Sequence, residues 1–295
     1  MKPSFTARAV AFVLLKTNLF KKGLNPDAGF ARRQEKALAT PSAPSARNRK
    51  ACLVSSAVVR DRTIWTIAPR DAAPRANVLF WHGGAYVRQP TAAHWDFLTY
   101  MAARHRWRIT APLYPLAGRE HADRVTAFAA DCLHDWLAAV DDGPTVMVGD
   151  SAGGGLAAAA MMAARDRGQA LPDRAILICP WLDVQMTHPD QVAIERRDPI
   201  LTIAGLRNAG SIYAGPLPAD DPRVSPLFGD WTGLPPMQVF AGGDDMLVTD
   251  ARALHAKRGD MVYDERDGLM HDWPILFFPE SREAQAAMAR FASGT

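Results

Sequence analysis

The sequence predicts an α/β protein, in which a mostly parallel central sheet carries helices on both faces. Short apolar runs of strand length alternate with longer helical stretches from about residue 77 onward. Such alternation is typical of parallel sheets, because each crossover between parallel strands needs a helix-sized connection. Three motifs with catalytic residue types directly follow predicted strands, and open α/β sheets place their sites at this edge. A chain of 295 residues can bury the core of one such domain.

Composition argues against several classes of protein. With 22% charged and 48% hydrophobic residues, the chain is typical of soluble globular proteins. No run of about 18 apolar residues predicts a transmembrane helix. Cys52, Cys132 and Cys179 lie far apart, which argues against a disulfide framework and favours a reducing compartment, so a cytoplasmic location is expected. Because no metal-ligand spacing or phosphate loop is present, no metal, cofactor or nucleic-acid partner is predicted.

The charge of the chain is unevenly distributed. Residues 1–50 hold eleven basic residues against two acidic ones, a net charge of +9, while the remaining 23 basic and 29 acidic residues give −6. Such a basic arm could dock on the acidic body, contact anionic lipid or act as a targeting segment. It makes a poor secretory signal, because the apolar run 9–15 is short and Lys16 interrupts it.

The first 45 residues are predicted to be an appendage. Apolar residues in 5–20 follow helical spacing and predict an amphipathic helix, which Asn25-Pro26 ends. A second helix is predicted at 28–38, and the Pro- and Ser-rich residues 40–45 read as a linker.

The body begins with a predicted hairpin, 54–59 and 63–67, whose strands are separated by Arg60-Asp61. Residues 185–222 are Pro-rich and irregular apart from one helix at 204–213, and we find no internal repeat. Further strands are predicted at 77–81, 108–112, 146–148, 175–179, 238–241 and 261–265, and further helices at 95–104, 123–140, 156–164, from about 250, and at 281–291.

Ser151 stands in a G-x-S-x-G motif between a predicted strand and an Ala-rich helix. Alone, this motif also fits a plain glycine-rich turn. In the strand–turn–helix context it predicts the nucleophile elbow of an α/β-hydrolase. Side chains at Gly149 and Gly153 would collide with the strand and the helix. The helix N-terminus behind the serine would direct amide hydrogens and a positive dipole end at the site.

Ser151, Asp245 and His271 occur in the chain order of an α/β-hydrolase triad, and each follows a predicted strand. A serine hydroxyl needs a base to take its proton, and His271 would be that base. The carboxylate would fix the tautomer of the imidazole and stabilise its charged form. Asp244 is the alternative acid; Asp245 is preferred because it lies three residues after Gly242 and directly before two apolar residues.

A second motif, His82-Gly83-Gly84-Ala85, predicts an oxyanion hole. Backbone N–H groups of Gly83 and Gly84, together with that of Ala152, could bind the negative charge that develops on an ester carbonyl oxygen. Glycine suits this task because the backbone must approach the substrate closely. His82 is interpreted as a residue that fixes the loop.

These motifs together resemble the hormone-sensitive-lipase-like family of α/β-hydrolase esterases. The segment 82–86 is similar to that family's His-Gly-Gly-Gly motif, and 149–154 is similar to its G-D-S-A-G-G elbow. Other similar stretches, within a resemblance that covers about 52–292, are 114–121, 180–183, 221–227 and 233–236. Two positions depart from the family pattern: Ala85 replaces the third glycine, and Met246 replaces a proline after the acid.

The resemblance implies a cap over the site, formed by N-terminal helices in 1–45 and an insertion at about 185–220 of a catalytic domain 46–295. A cap supplies pocket walls and limits water. The predicted substrate-binding residues are Tyr86, Asp150, Trp181, Ile203, Leu206, Tyr213 and Trp273, with Phe5 and Phe12 as further candidate pocket residues.

The expected function is a serine carboxylesterase that hydrolyses short-chain acyl esters through an acyl-enzyme, without metal or cofactor. Its expected partner is a small-molecule ester, membrane contact is not expected, and a homodimer is compatible with the resemblance. An amidase or deacetylase would use the same triad. A non-catalytic ligand-binding α/β-hydrolase and a membrane-attached lipase are also compatible with the sequence.

Overall fold

The central element is an eight-stranded sheet, seen in a computed structural model that describes residues 2–18, 20–40 and 42–294. Leu19 of the predicted first helix and Pro41 of the predicted linker lie outside the described residues. The strands are β1 Leu53–Val59, β2 Arg62–Ala68, β3 Ala76–Trp81, β4 Trp107–Pro112, β5 Thr145–Asp150, β6 Arg174–Ile178, β7 Met237–Gly242 and β8 Val262–Arg266.

The strand order is β1-β2-β4-β3-β5-β6-β7-β8. The hairpin β1–β2 is antiparallel and adds to the sheet through an antiparallel β2–β4 pair. All pairs from β4 to β8 are parallel. The predicted fold class is therefore confirmed. Because parallel strands end at the same edge, the loops after β3, β5, β7 and β8 meet there.

Helices cover both faces of this sheet, as residues alternate along the buried strands. The helices are α1 Phe5–Thr17, α2 Lys21–Leu24, α3 Phe30–Ala39, α4 Ala46–Ala51, α5 Ala92–His105, α6 Ala122–Ala139, α7 Ala152–Asp166, α8 Gln191–Glu195, α9 Ile203–Ala214, α10 Val248–Lys257 and α11 Pro279–Ser293. Leu79 and Met147 face one apolar layer with α6 and α7, whereas Val78 and Val146 face the other with α5 and α11.

Three short helices, α2, α4 and α8, were not predicted from the sequence. Helix α4 follows the proposed linker and begins at a capping box, in which Ser45 accepts the backbone N–H of Asn48 and the Asn48 side chain accepts that of Ser45. Helix α8 lies in the Pro-rich segment that was expected to hold one helix only. Helix α10, expected to begin at about residue 250, begins at Val248. Asp250 therefore lies inside its first turn and accepts the N–H groups of Leu182 and Asp183.

The N-terminal helices pack on the body. Helix α1 buries Ala7 in the layer of α11, and the Ser4 hydroxyl donates to Glu280 Oε2 at 3.0 Å. Gln34 of α3 donates to the carbonyl of Ala117 at 2.8 Å. Lys21 of α2 donates to the carbonyl of Glu195 at 3.0 Å, so the arm also contacts the Pro-rich segment. Among the described helices, none has the length and apolarity needed to cross a membrane.

Candidate active site

Ser151 sits on a strained turn between β5 and α7. Its φ of 52° and ψ of −122° lie in a region that residues with side chains rarely adopt, and such conformations cost about 1–3 kcal/mol. A Cβ at Gly149 would lie 2.2 Å from the carbonyl oxygen of Gly153, and a Cβ at Gly153 would lie 2.0 Å from that of Trp81. Both contacts are far too short, which explains why the turn needs glycine on each side of the serine.

The three predicted catalytic side chains form one hydrogen-bonded chain. His271 Nε2 lies 2.9 Å from Ser151 Oγ, and His271 Nδ1 lies 2.9 Å from Asp245 Oδ2. Ser151 and His271 are each only 4% exposed, and Asp245 is fully buried. Because the Asp245 carboxylate accepts a hydrogen bond from Nδ1–H, the proton of the neutral imidazole stays on Nδ1. Nε2 is then free to accept the serine proton.

The two adjacent aspartates after β7 have different surroundings. Asp245 binds His271 through Oδ2 and accepts the N–H of Leu247 through Oδ1 at 2.9 Å. Asp244 turns away and pairs with Arg197 at 2.8 Å on the surface. The structure therefore brings Asp245, and not Asp244, to the histidine.

The environment of His271 favours its charged form. Burial alone would lower the pKa of the imidazole, but the negative charges of Asp245 and Asp272 raise it above its ordinary value. Asp272 Oδ2 lies 3.2 Å from His271 Nε2. A base whose charged form is stabilised in this way takes up the serine proton more readily.

In the glycine motif after β3, the N–H groups that are free to bind an oxyanion differ from the predicted donors at one residue. The N–H of Gly83 donates to Asp150 Oδ2 at 3.0 Å, so it is not available to a substrate. Gly84 and Ala85 line the cavity beside Ser151. Within the described ranges, the N–H groups of Gly84, Ala85 and Ala152 donate no hydrogen bond to the protein. The structure thus replaces Gly83 by Ala85 in the candidate donor set.

His82 fixes this loop, as its sequence context indicated. Its ring stacks on Tyr114 with centroids 4.3 Å apart, and Tyr114 donates its hydroxyl hydrogen to the His82 carbonyl at 2.9 Å. Burial lowers the pKa of His82 to about 4, so the ring is neutral near pH 7.

A cavity of about 690 Å³ opens onto Ser151 and His271. Most of its walls are apolar, and they come from three parts of the chain: the N-terminal arm, the Pro-rich segment and the body. The arm supplies Phe20, Leu24 and Ala37; the Pro-rich segment supplies Ile200, Leu201 and Leu206; and the body supplies Ala92, Ala93, Ile275 and Leu276.

Of the seven predicted substrate-binding residues, Leu206 lines this cavity and the other six do not. Tyr86 and Tyr213 stack on each other with centroids 3.5 Å apart in the core. The indoles of Trp181 and Trp273 donate to the carbonyls of Asp183 and Ala241. Large aromatic side chains are hard to assign from sequence, because core and pocket positions have the same composition.

The other two predicted binding residues and the two aromatic pocket candidates also lie elsewhere. Asp150 is buried under the oxyanion loop. Ile203 is half-buried against the core beside the cavity. Phe5 and Phe12 point outward, at 80% and 61% exposure, because α1 turns its smaller residues toward the body.

Sequence reasoning missed two residues that support the site. His94 Nε2 donates to Asp150 Oδ2 at 3.1 Å, because its Nδ1 accepts the N–H of Thr91. The helix that carries His94 has no motif in its sequence. Asp198 accepts the N–H groups of Leu201 and Met246, which ties the acid loop to the Pro-rich segment. In the sequence, Asp198 stands between two arginines and a proline, a context that indicates only a loop residue.

Among the described residues, Cys179, His271 and Asp272 place possible metal-ligand atoms within 4.8 Å of one another. However, both nitrogens of His271 already bind protein groups, namely Asp245 and Ser151. Histidine ligation would break that chain, so this cluster does not suit a resident metal.

Fold and site together define the class of this protein: it is an α/β-hydrolase. A family model described as an alpha/beta hydrolase fold matches residues 78–274, more than half of the chain. The chain belongs to that family.

Similar proteins narrow this assignment. The protein named "Putative acetyl-hydrolase LipR" of Mycobacterium tuberculosis is 32% identical over 234 residues, covering 75% of this chain and 73% of its own length. The acetyl-hydrolase of Streptomyces hygroscopicus is 37% identical over 163 residues, 52% of this chain and 54% of its own. A crystal structure of an esterase from the bacterial hormone-sensitive lipase family has a TM-score of 0.83 at 26% identity, covering 100% of this chain and 99% of that one.

The predicted resemblance to hormone-sensitive-lipase-like esterases is confirmed, and the predicted enzyme class, a carboxylic ester hydrolase, agrees with these names.

Proposed function

We propose that this protein is a serine carboxylesterase that hydrolyses short-chain acyl esters through an acyl-enzyme. One observation carries the proposal: Ser151, His271 and Asp245 form a buried hydrogen-bonded chain whose serine end opens into an apolar cavity. The nucleophile and its base thus face the cavity, and the acid orients the base from its buried side.

In the acylation step, His271 Nε2 takes the hydroxyl proton of Ser151 while Oγ attacks the acyl carbon. The carbonyl oxygen becomes an oxyanion, which the N–H groups of Gly84, Ala85 and Ala152 would bind. Asp245 stabilises the imidazolium that forms. His271 then gives its proton to the leaving alkoxide, so the alcohol departs and an ester to Ser151 remains.

Deacylation repeats these steps with water as the nucleophile. His271 takes a proton from water, and the hydroxide attacks the acyl carbon of the acyl-enzyme. The second oxyanion collapses, Ser151 Oγ receives the proton from His271, and the carboxylic acid leaves. Both half-reactions use the same three side chains, and neither requires a cofactor.

A cap made of the N-terminal arm and the segment 185–220 would cover the site of the catalytic domain 46–295. In support of this, Leu24 and Leu206 face the same cavity from the two segments. The contacts of Ser4, Lys21 and Gln34 with the rest of the chain favour a docked arm rather than one free to bind lipid. Such a cap would exclude water and shape the acyl pocket.

The apolar lining favours an acyl chain over a charged group, and the two relatives named acetyl-hydrolases support a short chain. The test is hydrolysis of p-nitrophenyl esters from acetate to palmitate. We expect the highest kcat/KM at short chain lengths and a loss of at least about 10³-fold in Ser151→Ala. A folded wild-type protein without turnover on any ester would contradict the proposal and favour amides or ligand binding.

A further inference from the structure

Asp272 occupies an unusual place beside the base. It follows His271 directly, has a positive φ of 55° and lines the cavity. Its Oδ2 lies 3.2 Å from His271 Nε2, the nitrogen that also binds Ser151. A carboxyl group therefore faces the reactive nitrogen, in addition to the acid that binds the other nitrogen.

A second carboxyl group, that of Asp150, acts on Asp272. Both the negative charge of Asp150 and its side chain at hydrogen-bonding range raise the pKa of Asp272. Oδ1 of each is buried, and neither has a donor among the described residues. Asp150 Oδ2 already accepts the N–H of Gly83 and contacts His94. Two buried acceptors that meet without a donor are both satisfied if a single proton lies between them.

Other titratable groups surround the two carboxyls. His94 and His82 face Asp150 from α5 and from the loop after β3, and Tyr114 lies on the same side. Around Asp272 are His271, Asp245 of the loop after β7, and Cys179 after β6. Asp198 faces His271 and Asp245 from the Pro-rich segment. Burial raises the pKa of Asp272 well above its usual range, and the charges of Asp150 and Asp245 add to this effect.

We propose that Asp150 and Asp272 share one proton, and that through this bridge Asp272 is a positioning residue that links the oxyanion loop to His271. The inference rests on the proposed esterase function and deepens it. The link runs from the N–H of Gly83 to Asp150 Oδ2, from Asp150 Oδ1 through the shared proton to Asp272 Oδ1, and from Asp272 Oδ2 to His271 Nε2.

The shared proton gives Asp272 a defined effect on the reaction. While it is held by the pair, Asp272 carries less than a full charge, so it raises the pKa of the resting imidazole less than a free carboxylate would. When His271 takes the serine proton, its Nε2–H faces Oδ2, which accepts it. Stabilisation that strengthens as the transition state forms raises kcat.

Two substitutions at one position test the bridge. In Asp272→Asn, the amide can donate to Asp150 Oδ1 and present its oxygen to His271, as the protonated acid does, and asparagine tolerates positive φ. Asp272→Ala removes both contacts. We expect kcat/KM near pH 7 within about threefold of wild type for Asp272→Asn and at least about tenfold lower for Asp272→Ala, because small displacements of catalytic groups are costly. Asp267→Asn, on the exposed surface of the same loop, is the matched control.

The pH profile separates positioning from a merely structural role. At alkaline pH the wild-type pair loses its shared proton, and two buried carboxylates repel each other beside the site. We expect kcat/KM of the wild type to fall there and that of Asp272→Asn to keep its plateau, since an amide does not ionise. The proposal is overturned if Asp272→Asn loses as much activity as Asp272→Ala, or if its alkaline limb matches the wild type.

Thermal stability gives a readout that does not need esterase activity. A carboxyl whose pKa is raised on folding keeps its proton above pH 4, where the unfolded chain has released it. The contribution of this group to stability is therefore greatest below pH 4 and declines as pH rises toward its folded-state pKa. The difference in Tm between Asp272→Asn and the wild type should therefore shift in favour of the variant as pH increases. A constant difference in Tm would contradict the shared proton even if the protein hydrolyses no ester.

Discussion

At the scale of single residues, the two adjacent aspartates Asp244 and Asp245 have different surroundings. Asp245 is fully buried against His271, whereas Asp244 pairs with Arg197 at the surface. Only the first can hold the imidazole in one tautomer, since Asp244 does not reach the ring.

We therefore predict opposite outcomes for two matched substitutions. Asp245→Asn should lower kcat by about 10⁴-fold, because an amide no longer fixes the tautomer of the base. Asp244→Asn should leave kcat within about threefold of wild type, since an exposed ion pair contributes little. Steady-state kinetics on p-nitrophenyl butyrate checks both. Equal losses in the two variants would show that the acid has been misassigned.

At the scale of elements, the site depends on how closely β5 and α7 approach each other at the elbow. The backbone of β3 also lies against the start of α7, where Gly153 leaves no room for a side chain. The nucleophile can thus reach the cavity at the sheet edge only because α7 packs backbone to backbone against β5 and β3.

Gly153→Ala should disrupt this packing. Its methyl group would lie 2.0 Å from the carbonyl oxygen of Trp81, and overpacking of this kind costs about 1–3 kcal/mol or more. We expect a lower Tm and a large loss of activity. Gly259→Ala is the control, because a Cβ there meets nothing within 4 Å. A Gly153→Ala variant as stable and active as Gly259→Ala would refute this account of the elbow.

At the scale of the whole molecule, the cavity is built by segments far apart in the chain. Residues before β1 and residues after β6 both line the cavity beside Ser151. In the proposed esterase, the docking of these segments would determine which acyl chain fits. Leu206 of α9 is 1% exposed and forms part of this wall.

Shortening Leu206 should enlarge the acyl pocket. We expect Leu206→Ala to move the optimal acyl chain to greater length, through a rise of kcat/KM on longer esters relative to acetate. Val192→Ala, on the exposed side of α8, should leave the optimum unchanged. The ratio of octanoate to acetate hydrolysis measures this shift, and an unchanged ratio in Leu206→Ala would place the acyl chain elsewhere.

The sequence predicted those features that depend on local pattern. Strand–helix alternation indicated the sheet, and the glycines around Ser151 indicated the elbow, because each glycine has a steric reason that follows from its neighbours in the chain. The order of Ser151, Asp245 and His271 along the chain indicated that the three form a catalytic triad. All of these conclusions rest on residues within a few positions of a strand end.

What the sequence could not predict depends on packing between distant segments. Tyr86 and Tyr213 looked like pocket residues, yet they stack on each other in the core. Gly83 looked like an oxyanion donor, yet its N–H is bound by Asp150, a residue 67 positions away. Asp272 carried no motif, and only the fold brings its carboxyl group beside His271.

The central claim is that Ser151 forms a covalent intermediate, and active-site titration tests it most directly. The enzyme would be mixed with a p-nitrophenyl phosphonate ester, which transfers its phosphonyl group to an activated serine and releases p-nitrophenol. We predict release of one equivalent per chain and an adduct that peptide mass spectrometry maps to Ser151, with neither in Ser151→Ala. An adduct on another residue, or ester hydrolysis that persists in Ser151→Ala, would contradict the account.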